Sequence, residues 1–143
     1  MSVGFRYSGI WKEFGEGDLL HAFFSTISYR LESNDWGSVY PYLQKKFYND
    51  KLDAEETLIA LDELKDVRTK FLGLRPDDIV WDIEDLTRKP PTSFYTKLQA
   101  SNLSECFVAV SGKNLFDILT EVFEFCNRRG ISVKIQSSND LIE

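Results

Sequence analysis

The last third of the chain constrains the fold most, because three consecutive signals there leave little freedom. Cys106–Val110 is a continuous apolar run of the kind found in a central strand. Asn114 then stands at the N-cap position of a helix whose Leu115, Ile118, Leu119, Val122 and Cys126 share one face. Gly130 marks its end, with Arg128 and Arg129 beside the negative terminus. Ile131, Val133 and Ile135 then alternate as a second strand. The sequence here reads as a strand–helix–strand unit compatible with a right-handed parallel crossover.

The first third adds a hairpin and another helix. Val3, Phe5 and Tyr7 alternate with polar or small residues, Ser8-Gly9 can turn the chain, and Ile10–Phe14 can return as a partner strand. A helix over 18–32 follows, with Asp18 as its expected cap and Leu19, Leu20, Phe23, Phe24, Ile27 and Leu31 on one broad face. A short helix is expected over 39–48, with Pro41 in its first turn. Asp53-Ala54-Glu55-Glu56 has the form of a capping box, opening a helix to about Leu72 with Ala54, Leu58, Leu61 and Phe71 inward. Gly73 and Pro76 end that helix. Asp78–Leu86 reads as a strand, with Ile79, Trp81 and Ile83 on one side and Asp78, Asp82 and Glu84 on the other. Arg88-Lys89-Pro90-Pro91 then begins a loop, and 92–103 has no clear pattern.

The expected class is therefore α+β: one domain over 1–143, with a small mixed or antiparallel sheet packed against three to four helices. Residues 137–143 read as a frayed tail. With 143 residues, 43% of them hydrophobic, the chain can bury a core without disulfides or metals. No apolar run is long enough to cross a bilayer, and the N-terminus lacks the features of a signal peptide, so a cytoplasmic location is expected. Cys106 and Cys126 are spaced as core residues rather than as a metal or redox pair. A net charge of −6 with scattered basic pairs argues against nucleic acid and favours a basic protein partner.

Chemistry is sparse. The single histidine, His21, flanks the first helix and has no recognisable nucleophile beside it. Gly15-Glu16-Gly17 lacks both the third glycine of a dinucleotide loop and the lysine of a phosphate loop. Asp82 and Glu84, two apart on a strand, would lie about 6–7 Å apart, near the spacing of paired-carboxylate hydrolases. With Asp77, Asp78 and Asp85 nearby, the same strand admits three readings: a solvated face, a protein-docking surface, or a catalytic or cation site. Trp36, set among turn residues, is expected to be exposed beside these carboxylates as an interface anchor. No catalytic residue, cofactor or metal ligand is assigned.

Several segments together carry a likeness. They are the opening Met1–Phe5, Gly17–Tyr29, Trp36-Gly37-Ser38, Val80–Leu86 leading to Pro90-Pro91, and Ser111–Phe116. In this order and spacing, over roughly residues 1–125, the chain resembles the Immunity protein 70 family of bacterial polymorphic toxin systems. The resemblance implies a cytosolic protein, encoded beside a secreted toxin, that binds and neutralises the cognate toxin's effector domain and so protects the producing cell and its kin. It implies no membrane, nucleic-acid or cofactor partner and leaves oligomeric state open. Relatives are expected to carry an aromatic after the proline pair, where Thr92 stands here. The candidate toxin-docking residues are Trp36, Asp78, Asp82, Glu84 and Asp85. A generic adaptor or regulator, and a carboxylate-dependent hydrolase, are the alternative functions.

Overall fold

The computed structural model describes residues 2–97 and 99–142; Met1, Leu98 and Glu143, the last of them in the tail expected to fray, lie outside the described residues. The hairpin forms as the alternation predicts. Strand β1 (Ser2–Tyr7) pairs antiparallel with β2 (Ile10–Glu16). Ser8 and Gly9 have φ of 50° and 79°, the doubly left-handed turn whose twist matches a two-residue hairpin. A bulge lies between Val3 and Gly4, and a Cβ at Gly4 would stand 2.5 Å from the Lys12 carbonyl oxygen, so the strands approach closely there.

Helix α1 (Gly17–Thr26) runs on without a break into a wider π-helical turn, Ile27–Leu31. Asp18 does not cap it: the N-cap position is Glu16, and Asp18 lies in the first turn, where its charge still suits the helix dipole. A second π-helical segment, Tyr42–Phe47, occupies the short helix expected over 39–48. Helix α2 (Ala54–Phe71) opens on the expected box, with the Asp53 N–H donating to Glu56 Oε1 at 2.9 Å. Of its expected inner residues Leu61 and Phe71 are buried, Ala54 is half-buried and Leu58 is exposed. Thr57, Ala60, Leu61, Leu64, Val67 and Phe71 are buried, whereas Leu58 and Ile59 are exposed.

A short helix α3 (Thr92–Lys97) follows a long irregular segment. Helix α4 (Leu115–Arg129) matches its sequence signals at both ends: Asn114 accepts the Phe116 N–H at 2.8 Å, and Gly130 closes the helix at φ 68°. Strand β3 (Lys134–Ser137) then pairs antiparallel with β1, giving the order β2-β1-β3. The α+β class and the C-terminal strand stand, and of the two sheet types left open the antiparallel one forms.

The parallel crossover does not form. Cys106–Val110 makes one isolated bridge, Val108 to Asn114, and folds back on the start of α4. Ala109 N–H donates to the Lys113 carbonyl and Phe107 C=O accepts the Leu115 N–H, both at 2.8 Å, while Val110 N–H reaches the Phe14 carbonyl of β2 at 2.8 Å. Phe107 is buried while Val108 and Val110 are exposed, so a run that looks uniformly apolar is half outward. Ser138–Ile142, in the segment expected to fray, turns as a short 3-10 helix.

One connected core joins these elements, and it is aromatic. Phe23 of α1 meets Phe107 and Phe116 edge-on at 5.2 and 5.4 Å and Phe71 of α2 at 6.1 Å. Phe5 of the sheet stacks on Phe47, which meets Phe123 of α4 at 5.2 Å. A buried carboxylate fastens the loop between the two π-helical segments. Glu32, 2% exposed, accepts N–H groups from Gly37, Val39 and Tyr40 and the Gln44 amide at 2.9–3.1 Å. Four donors replace the water it has lost. Removing it with Glu32→Ala leaves the buried Gly37 and Tyr40 amides without an acceptor and should lower unfolding free energy by about 3 kcal/mol or more, while Glu84→Ala at the surface should change it by about 0.5 kcal/mol or less; urea denaturation measures both.

Candidate functional site

Residues 79–91 form no strand, although Ile79, Val80 and Trp81 are buried. The backbone of this segment is satisfied by side chains of α1 instead of a sheet ladder. Thr26 Oγ1 accepts the Val80 N–H at 3.0 Å while donating to the Ala22 carbonyl at 2.7 Å, and Ser25 Oγ accepts the Ile83 N–H at 3.1 Å. Both α1 residues are fully buried. The expected alternation does not hold: Ile79, Val80, Trp81 and Asp82 are buried in succession, Ile83 is half-buried, and the segment's partner is a helix.

Asp82 is the node of this contact. It is 9% exposed, and Oδ2 accepts Arg88 Nη1 at 2.8 Å while Oδ1 accepts the Glu84 N–H at 3.0 Å and faces His21 Nε2 at 3.2 Å. Burial alone would push this carboxyl up; the hydrogen bonds from Arg88, Glu84 N–H and His21 outweigh it and hold Asp82 below the ordinary carboxylate range. His21 Nδ1 lies 2.6 Å from the Tyr48 hydroxyl, whose own pKa is raised by burial and by the charges of Glu84 and Asp82. The phenol thus keeps its proton, and the Asp82–His21–Tyr48 chain braces the fold without generating a nucleophile.

The five predicted residues divide. Glu84 and Asp85 are exposed on the turn that Asp82 anchors, and Asp85 Oδ1 accepts both the N–H and the hydroxyl of Thr87. Asp78 instead closes its own 3-10 turn, accepting the Arg75 N–H at 2.8 Å, while its carbonyl accepts Arg30 Nε. Trp36 is half-buried rather than exposed: its ring packs at 5.2 Å on Tyr48, and its Nε1 donates to the Gln44 carbonyl. Asp82 and Glu84 do not form the opposed pair a hydrolase needs. They share one turn, and Asp82, held ionised, is no proton donor.

Three features escaped the sequence reading. Arg88 joins Asp82 to Asp18, its Nη2 lying 3.4 Å from Asp18 Oδ2. His21 bridges α1 to the turn. Beside them opens a groove of about 650 Å³, lined by Leu19 of α1, Trp81 and Phe94, and Cys106 and Val108, with Glu16, Asp18 and Glu105 also on its wall. None of the five predicted residues lines it. Burial pushes the Cys106 thiol up to about 12 and Cys126 up to about 11, so both are inert. Among the described residues no three His, Cys, Asp or Glu side chains converge as metal ligands, and no helix is long and apolar enough to cross a membrane.

The Immunity protein 70 family model matches residues 5–135, all but the two ends of the chain. The chain belongs to the Immunity protein 70 family. The match spans β1 through α4 and therefore includes α1, the Asp82 turn and the groove. No curated protein matches. No solved structure matches either.

The Asp82 node has a pH signature. A carboxyl held low in the folded state stabilises above its unfolded pKa, near 3.8, and that stability is lost as pH falls through the lower folded value. Asp82→Asn should cost about 1–3 kcal/mol near neutrality. The gap between wild type and variant should narrow below about pH 4 in thermal melts across pH, because the wild type loses there what the variant never had.

Proposed function

We propose that this member of the family acts in the cytoplasm by binding and neutralising the effector domain of a cognate polymorphic toxin. The family match over residues 5–135 carries the reading. The scaffold suits it: a close-packed aromatic core presents a rigid, carboxylate-rich outer turn and needs no reactive centre. Net charge of −6 favours a basic partner and speeds its approach.

The docking face centres on Glu84 and Asp85, which are exposed, with Asp82 and Arg88 holding the turn from beneath. Asp82 contributes through that support, Trp36 reaches the turn only through Tyr48 and His21, and Asp78 lies outside it. Co-expression with the toxin encoded beside this chain's gene should restore growth, and the two should co-purify. A toxin that kills equally well with the chain present contradicts the reading. In the Glu84→Lys/Asp85→Lys double variant, association should slow by about tenfold at low ionic strength and approach the wild-type rate in about 1 M salt, as measured by stopped-flow mixing.

A further inference from the structure

We infer that the 650 Å³ groove receives an apolar side chain flanked by lysine or arginine, presented by the toxin's effector domain. This deepens the neutralisation reading and rests on it. Size is the first argument: the volume falls within the range of about 300–1,000 Å³ typical of built pockets. The floor is a second. Trp81 and Phe94 meet at 5.9 Å with their planes at 64°, and Leu19 and Val108 face them from α1 and from the turn before α4. Val108 is 37% exposed and Val110 68% exposed, so the apolar surface continues past the mouth of the groove. An anchor side chain seated here would remove that surface from water, the arrangement that concentrates binding energy at the centre of an interface.

Charge selects the occupant. Every charged side chain among the described residues of the groove wall is a carboxylate: Glu16, Asp18 and Glu105. All three have partners, and those of Asp18 and Glu105 leave most of the field in place. Asp18 meets Arg88 at 3.4 Å while remaining 64% exposed, and Glu105 accepts the Ser101 N–H at 2.7 Å. A second copy of this chain, itself at −6, would bring like charge to an acidic rim, and nucleic acid would be repelled outright. A basic protein segment with an apolar tip satisfies both wall and floor. Arg88 links this rim to the Asp82 turn, so the groove and the Glu84–Asp85 surface form one continuous face.

Val108→Arg tests this directly, since a guanidinium on the groove wall fills the cavity and neutralises its rim. Affinity for the toxin encoded beside this chain's gene would be measured by calorimetry, with thermal melts as the control for folding. Val108→Arg should weaken binding at least about tenfold, and Leu58→Arg, at an exposed position of α2 outside the groove lining, should bind as the wild type does. If Val108→Arg melts early, Asp18→Lys decides instead: it reverses an exposed rim charge and should weaken binding several-fold, less so in high salt. Wild-type affinity in well-folded Val108→Arg, or in Asp18→Lys where that variant decides, overturns the groove while leaving neutralisation intact. Failure of the wild type itself to bind the toxin overturns both.

Discussion

The contact between α1 and the irregular segment 79–91 is the constraint from which the proposed docking face follows. A segment with buried Ile79, Val80 and Trp81 must satisfy its backbone without water, and it has no neighbouring strand. Thr26 and Ser25 of α1 accept the Val80 and Ile83 N–H groups, and His21 on the same helix meets the Asp82 carboxylate. Ser25 and Thr26 are fully buried, so losing any of these bonds would strand a polar group in the core. Two backbone N–H groups of the segment are thereby held by α1, while Glu84 and Asp85 stay exposed.

Fixing the turn also places the groove. Trp81 belongs to the same segment and forms the floor, with Phe94 against it. Arg88 reaches back from the end of the turn to Asp82 and on to Asp18 at the start of α1. One arginine therefore couples the acidic turn, the helix and the groove rim. A binding protein benefits from this arrangement because a surface already held in shape loses little conformational freedom on association. Surface ion pairs of this kind contribute little to stability by themselves. Their value here is positional.

Local signals were legible, and non-local ones were not. The β1–β2 hairpin, the capping box of α2 and both ends of α4 were readable because periodicity and cap chemistry lie within a few residues. Cys106–Val110 was misread because an apolar run does not reveal that Val108 and Val110 point outward from a fold-back onto α4. The inner face of α2 was placed in part: Leu61 and Phe71 are buried as expected, but Leu58 is exposed while Thr57 and Ala60 take inward positions. Asp78–Leu86 alternates in sequence as a strand should, yet the polar residues His21, Ser25 and Thr26 of α1 were the available hint that a helix would be its partner. Trp36 sits among turn residues but is drawn inward by Tyr48 and Gln44, contacts no window of sequence displays. The groove was invisible for the same reason, since its walls come from three distant segments.

The central claim is that this family member works through one outer face made by the Asp82 turn and the adjoining groove. Hydrogen–deuterium exchange of the chain alone and mixed with the proposed toxin partner tests that claim most directly. The account predicts added protection in 16–21, 81–94 and 104–110, with the outward side of α2 unchanged. Protection confined to α2 or to the β1–β2 turn, with those three segments exchanging as in the free protein, would contradict it.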